Sequence, residues 1–162
     1  MATVELRDIA TDADRAAVLR LKVAPGQEQF VASVEDSIVD AVKYPEACAR
    51  YWAVYDPDRG EPVGFTMISD GISEDVLAAD DTLVGPYFLW RLLIDERHQR
   101  RGYGTATLDA VVAYVRSRGA RTLLVSAHQG DGGPQPFYER YGFVRTGRVV
   151  EDEPVSELQL GE

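Results

Sequence analysis

The chain has 162 residues, of which 45% are hydrophobic, and this suits one globular domain over residues 1–162 with a substantial core. Its formal net charge of -10 argues against nucleic acid as a partner, because the phosphates would be repelled. The single cysteine, Cys48, excludes an internal disulfide. No apolar run has the length of a membrane span, and the first residues lack the apolar stretch of a signal peptide. We therefore expect a cytoplasmic protein with neither a membrane nor a nucleic-acid partner.

The first half of the chain alternates short strands with amphipathic helices. "TVELRDI" alternates as a strand, and "TDADRAAVLRLKV" predicts a helix with Thr11 as its N-cap and acids in its first turn. Apolar residues at helical spacing predict a second helix over residues 30–44, which Pro45 ends. "YWAVYD" and "PVGFTMIS" flank a turn with Pro and Gly and predict a hairpin. The acidic stretch "DGISEDVLAADDTLVGP" has little pattern and is predicted to be a linker.

The second half of the chain predicts the centre of a sheet. The apolar run "YFLWRLLI" has the length of a strand buried on both faces, and we expect it to be the central strand. A helix with one apolar face follows and stops at Gly119, and "RTLLVSA" is a second buried strand. A short helix, "FYERYGF", and the strands "VRTGRVV" and "VSELQL" complete the chain. The order β-α-α-β-β-β-α-β-α-β-β predicts an α/β (α+β) fold with a mixed sheet of six or seven strands and about four helices.

A cationic, glycine-rich turn, "HQRRGYGT", lies between the predicted central strand and the next helix. Main-chain N–H groups at the start of a helix are unpaired, and glycine lets an oxyanion approach them closely. Arg100 and Arg101 add positive charge, so the ligand that fits best carries phosphates; a tight turn with solvated arginines is the alternative. A nucleotide P-loop is excluded because no lysine follows a glycine, and the dinucleotide fingerprint fails at Thr107.

The pattern Q-x-x-G-x-G over residues 99–104, together with "FYERYGF" further along, resembles the GCN5-related N-acetyltransferase (GNAT) family over nearly the whole chain. The resemblance implies the GNAT fold, acetyl-CoA as cosubstrate and direct attack on it by the amino group of a small molecule in a ternary complex. In that family the turn binds the pyrophosphate of coenzyme A through backbone amides, and two splayed strands expose backbone that pairs with the pantetheine. The residues that match the turn are Gln99, Arg100, Arg101, Gly102, Tyr103, Gly104 and Thr105. Those that match the splayed strand are Leu92, Leu93 and Ile94.

The resemblance also assigns a catalytic residue. Tyr138 in "FYERYGF" matches the position where family members often use a phenol to protonate the departing thiolate; a packing aromatic is the alternative. Many members carry a carboxylate on the central strand as general base, whereas this strand has Trp90 and Arg91. The base therefore stays open among a carboxylate from the N-terminal half, a water chain, and His128 or His98.

Acidic segments predict the character of the acyl acceptor. By resemblance the acceptor groove is formed by the first two helices, the loop between them and the last strands. The acids there that could attract a primary ammonium or a polyamine are Glu28, Glu35, Asp36, Glu151, Asp152 and Glu153. The first three are the predicted substrate residues, and ordinary solvated acids are the alternative. The N-terminal stretch is also similar to that of bacterial spermine/spermidine-type acetyltransferases.

The sequence also bears on metal binding, on alternative functions and on oligomeric state. No metal site is expected, because two isolated histidines and one cysteine give no ligand pair at helical or C-x-x-C spacing. A non-catalytic acyl-CoA-binding module and a protein N-terminal acetyltransferase stay open as alternative functions. A homodimer is compatible with the family resemblance, and the sequence does not fix the oligomeric state.

Overall fold

The computed structural model describes residues 2–161 and contains a sheet of seven strands. The strands are β1 (Glu5–Arg7), β2 (Ala49–Tyr55), β3 (Pro62–Asp70), β4 (Tyr87–Ile94), β5 (Thr122–Ser126), β6 (Val144–Val150) and β7 (Glu153–Gln159). Their spatial order is β1-β2-β3-β4-β5-β7-β6. Strands β4 and β5 are parallel, and the other neighbours are antiparallel. The prediction of a mixed α/β sheet with six or seven strands is confirmed.

Within residues 2–161, five α-helices flank the sheet. They are α1 (Asp12–Leu19), α2 (Val34–Lys43), α3 (Glu74–Ala79), α4 (Tyr103–Ser117) and α5 (Gln135–Tyr141). Thr11 caps α1 as predicted, and Ser33 caps α2, which therefore begins later than the apolar periodicity suggested. The acidic segment predicted as a linker contains α3, which begins after the cap Ser73. Between residues 2 and 161, no helix is long and apolar enough to cross a membrane.

Apolar side chains form a separate cluster on each face of the sheet. Leu89 packs with α4 on one face, whereas Leu93 packs with α1 and α2 on the other. On a regular strand, Leu89 and Leu93 would share a face because they are four residues apart. A β-bulge in β4 reverses the alternation of faces. The bulge is seen in the pairing with β3, where the adjacent residues Met67 and Ile68 pair with Arg91 and Leu89. Trp90 is the extra residue. The bulge thus turns the second half of β4 relative to the first.

Burial distinguishes β3 from β4. Strand β3 is buried from Pro62 to Ser69, whereas β4 buries only Leu89 and Leu93. The prediction that β4 is buried on both faces holds only for Leu89 and Leu93, one on each face, whereas the other six residues are half-buried; β4 does lie in the middle of the sheet. The physical reason is that residues 89–94 line an open cavity beside β4.

Candidate active site

The cavity forms where β4 and β5 separate. The two strands pair only at Phe88 with Leu124 and at Leu89 with Val125. Strand β4 then continues to Ile94, while β5 ends at Ser126. A cavity of about 900 Å³ opens between the diverging strands, and the predicted coenzyme residues Leu92, Leu93 and Ile94 line it. Beyond Leu89 the backbone of β4 has no β5 partner within residues 2–161, so its polar groups on that side can accept a ligand.

One end of the cavity is the N-terminus of α4. Gly102, at φ 84°, is the N-cap of this helix and offers no side-chain hydrogen bond, and the first turn contains no acid. Helices α1, α2 and α3 differ, since each has a hydroxyl cap and acids in its first turn. The uncapped N–H groups of α4 and its dipole therefore favour an anion at this end. The lining residues here are Gln99, Arg100, Gly102, Tyr103, Gly104, Thr105 and Arg140.

Several contacts hold this turn in place. Gln99 Nε2 donates to the carbonyl oxygen of Ile94 at 2.9 Å and to Gln27 Oε1 at 2.8 Å, which ties the turn to the end of β4. Tyr103 is buried, and its hydroxyl donates to Asp56 Oδ2 at 2.6 Å. The predicted residue Arg101, in contrast, is exposed and lies outside the cavity lining. Gln99 and Tyr103 thus support the turn through their side chains and leave its backbone to the ligand.

A second glycine of the turn sets the distance between two helices. A Cβ atom at Gly104 would lie 3.2 Å from the Phe137 ring of α5, which is tighter than ordinary packing. Glycine at this position therefore allows α5 to approach the start of α4. This approach brings Tyr138, the next residue of α5, to the same cavity.

Tyr138 contributes a phenol to the cavity wall. Its ring packs against Phe137 and Phe143 at centroid distances of 5.4 and 5.6 Å, and only 7% of the residue is exposed. Burial raises the pKa of the Tyr138 phenol, which therefore stays protonated at neutral pH. Its hydroxyl makes no hydrogen bond to any residue in the described range 2–161, so its proton is available for a ligand.

A charged pair occupies the other end of the cavity. Arg91 on β4 donates through Nη2 to Asp40 Oδ2 on α2 at 3.0 Å, and the two side chains are 20% and 29% exposed. Burial lowers the pKa of Arg91, while Asp40 and Glu153 oppose the shift, and the guanidinium remains charged. The carboxylate that many family members carry on this strand is thus replaced by a cation, which cannot accept a proton.

Three polar side chains meet beside this pair. Ser126, at the end of β5, donates through Oγ to Glu153 Oε1 on β7 at 3.1 Å. His128 Nδ1 lies 3.7 Å from Glu153 Oε2, and the imidazole packs near the ring of Phe30 at a centroid distance of 5.9 Å. All four residues line the cavity. The antiparallel pairing of β5 with β7 brings Ser126 and Glu153 together. The sequence alone does not predict this contact, because the two residues are far apart along the chain.

The predicted substrate acids lie elsewhere. Glu28 is exposed, and its carboxylate accepts a hydrogen bond from the Gly26 N–H. Glu35 and Asp36 lie in the first turn of α2, where their negative charges interact favourably with the positive end of the helix dipole. These three predicted residues do not line the cavity. The carboxylates that do line it are Asp40, Glu46, Glu151 and Glu153. The sequence did not predict Asp40 and Glu46 as cavity residues. Asp40 lies one helical turn after Asp36, and this spacing could have indicated it, because it places both acids on the same side of α2.

Comparison with known proteins agrees with this architecture. The sequence model described as Acetyltransferase (GNAT) family matches residues 6–143. The chain belongs to the GNAT acetyltransferase family. The predicted family and the predicted class of enzyme, an N-acetyltransferase, are both confirmed. This GNAT chain is 29% identical over 140 residues to the spermine/spermidine N(1)-acetyltransferase of Bacillus subtilis (strain 168), covering 86% of this chain and 87% of that protein.

Solved structures share the fold at lower sequence identity. An acetyltransferase from Thermus thermophilus has a TM-score of 0.70 and 22% identity, over 98% of this chain and 99% of that one. The PaiA N-acetyltransferase of Thermoplasma acidophilum, solved in complex with coenzyme A, has a TM-score of 0.63 and 10% identity, over 97% of this chain and 99% of that one. At these identities the likeness shows the GNAT fold.

Proposed function

We propose that this GNAT enzyme transfers an acetyl group from acetyl-CoA to an amino group of a small polycationic amine, by direct attack in a ternary complex. The observation that carries the proposal is the opposite charge at the two ends of one cavity. The α4 N-terminus, Arg100 and Arg140 lie at one end, which we call the coenzyme end. At the other, which we call the acceptor end, Arg91 lies among the carboxylates of Asp40 and Glu153, and we assign Glu46 and Glu151, which line the same cavity, to this end as well. We further propose that residues 1–162 form a single N-acetyltransferase domain, because one sheet includes strands from β1 to β7.

The coenzyme end fits acetyl-CoA in charge and in backbone geometry. The N–H groups of residues 103–105 would hold the pyrophosphate. The backbone of residues 92–94 that has no β5 partner, apart from the Ile94 carbonyl oxygen bound by Gln99, would hold the pantetheine. A structure with the same fold was solved in complex with coenzyme A, which supports coenzyme A as the ligand of the cavity. When bound, acetyl-CoA supplies the acetyl thioester and accepts a proton as it leaves as a thiol.

The protein then contributes two functions to the reaction. The carboxylates Glu46, Glu151 and Glu153 attract the ammonium groups of the acceptor, while Arg91 is held by Asp40. Tyr138 donates its proton towards the departing sulfur, for which its neutral phenol and free hydroxyl are suited. The likeness to a spermine/spermidine acetyltransferase supports an acceptor with several ammonium groups.

A panel of amines tests this function. Purified protein is mixed with acetyl-CoA and spermine, spermidine, a diamine, a monoamine or a short peptide, and thiol release and product mass are recorded. We expect amine-dependent thiol release with acetylated polyamine as the main product. Tight binding of acetyl-CoA without amine-dependent release would contradict the proposal, and preference for the peptide would move the acceptor to a protein N-terminus.

A further inference from the structure

We propose that His128 is the general base that takes a proton from the acceptor's ammonium, and that Glu153 is the positioning residue that orients its imidazole. The inference rests on the proposed function, because it concerns the same amine at the acceptor end. An alkylammonium is almost fully protonated at neutral pH, yet only the neutral amine attacks a thioester. The acceptor end must therefore contain a group that removes this proton.

Of the other candidates at the cavity, Asp40 and His98 are occupied or badly placed, and Glu46 and Glu151 are exposed carboxylates, which are weaker bases than imidazole. Arg91 stands on the strand where many relatives carry the carboxylate base, and Asp40 is already hydrogen-bonded to that arginine. The sequence has two histidines, and the other one, His98, is 4% exposed beside the coenzyme turn, with its ring near Tyr103. His128 is thus the imidazole at the acceptor end, and imidazole is the side chain whose charge changes nearest to neutral pH.

The surroundings of His128 suit a base. Glu153 is anchored through Oε1 by Ser126 Oγ at 3.1 Å, and its Oε2 lies 3.7 Å from His128 Nδ1. This arrangement favours the tautomer with the proton on Nδ1 and leaves Nε2 free to accept, and catalytic contacts are frequently long before substrate binds. The His128 side chain is 55% exposed, so it can return the proton to solvent. Arg91 interacts with Glu153 and is paired with Asp40, and the carboxylates of Glu46 and Glu151 line the same cavity.

The proton balance is complete without another reactant. One N–H bond of the ammonium breaks, its electron pair stays on nitrogen, and the proton binds to Nε2 of His128. That electron pair forms the new C–N bond, the C–S bond of the thioester breaks, and its electron pair leaves on sulfur, which takes the proton of Tyr138. The nitrogen loses a second proton as the amide forms, and this proton restores the Tyr138 phenol. His128 then releases its proton to solvent.

Substitution of His128 tests the base directly. In His128→Gln we expect kcat with spermidine to fall about 100-fold, the typical contribution of a general base, while the Kd for acetyl-CoA, measured by calorimetry, changes less than about twofold. Gln129→Ala is the matched control, because Gln129 is the adjacent exposed residue and lies outside the cavity lining. It should retain full turnover.

Two further measurements separate a base from a structural residue. Added imidazole should restore part of the turnover of His128→Ala. The amine 2,2,2-trifluoroethylamine is neutral at the assay pH, so no proton has to be removed from it before attack. The fall in kcat/KM caused by the His128 substitution should therefore be at least about tenfold smaller with this amine than with spermidine.

Glu153→Gln tests the positioning role. This variant should lower kcat about tenfold alone and should lower kcat no further in the His128→Ala background, since it acts on kcat through the imidazole, whereas the loss of its charge should raise KM for spermidine in both backgrounds. Turnover by His128→Gln within about twofold of the unsubstituted protein, or equal losses with both amines, would overturn the base assignment and leave the proposed function standing. Failure of the unsubstituted protein to acetylate any amine would overturn both.

Discussion

The coenzyme end and the acceptor end of the cavity are built in different ways. The coenzyme end uses the backbone of one contiguous turn, residues 99–105, at the start of α4. The acceptor end uses side chains from α2, β4, the end of β5, the turn before β7 and the first residue of β7. Backbone N–H groups bind phosphate whatever the nearby side chains are, whereas recognition of an amine depends on each carboxylate. Coenzyme binding and acceptor choice can therefore change independently in this enzyme.

The largest effect should come from the coenzyme end. Gly102→Val places a β-branched residue at φ 84° and blocks the approach to the α4 N–H groups. We expect the Kd for acetyl-CoA to rise about 100-fold, or about 2.8 kcal/mol, with a matching loss of the thermal stabilisation by the ligand. Calorimetry and thermal unfolding measure both quantities.

Gly119→Val is the matched control for backbone strain. Gly119 lies after the other end of α4 at φ 91°, with open space around its missing Cβ. Both variants should lose about 1–3 kcal/mol of unfolding free energy through strain, but only Gly102→Val should lose acetyl-CoA binding. Equal coenzyme affinity in the two variants would refute the assignment of the pyrophosphate to this turn.

Tyr138 lies between the two ends, and its hydroxyl should affect turnover alone. In Tyr138→Phe we expect kcat to fall at least about tenfold with little change in coenzyme affinity or stability, because the hydroxyl makes no hydrogen bond within residues 2–161. Burial raises the pKa of Tyr138, so the phenol stays protonated at these pH values. The fall in kcat of Tyr138→Phe should therefore be the same from about pH 7 to 9.

Tyr141→Phe is the control on the same helix. Its hydroxyl donates to Asp109 Oδ1 at 2.7 Å, away from the cavity. This variant should lose about 0.5–1 kcal/mol of unfolding free energy and keep its turnover. Native kcat in Tyr138→Phe would mean that water protonates the thiolate.

A smaller effect should distinguish the acids of the cavity from those predicted by sequence. The double variant Glu46→Gln, Glu151→Gln removes two carboxylates from the acceptor end, and we expect KM for spermidine to rise roughly three- to tenfold with little change in kcat. The double variant Glu28→Gln, Glu35→Gln removes the same charge outside the cavity and should leave KM nearly unchanged. Equal increases would mean that net charge, and not position, attracts the amine.

The same contrast explains what the sequence could predict. The coenzyme turn and the strand before it are local features, so the bounds of β4 and the glycine turn follow from apolar periodicity and from helix-start chemistry. The acceptor end depends on long-range contacts, such as Arg91 with Asp40 and Ser126 with Glu153, which exist only after the strands pair. The bulge at Trp90, which reverses the faces of β4, leaves no local signature. Helix α3 was missed because it is short and has no buried residue.

The central claim is that the acceptor end selects a cation with more than one ammonium group. It is tested most directly by kcat/KM for spermidine, a diamine and an arylalkylamine with an uncharged body, each measured at low and high salt. We predict that spermidine is preferred at low salt, that added salt reduces this preference by screening, and that all rates rise between about pH 7 and 9 as the amines lose protons. Preference for the arylalkylamine at both salt concentrations would contradict the account.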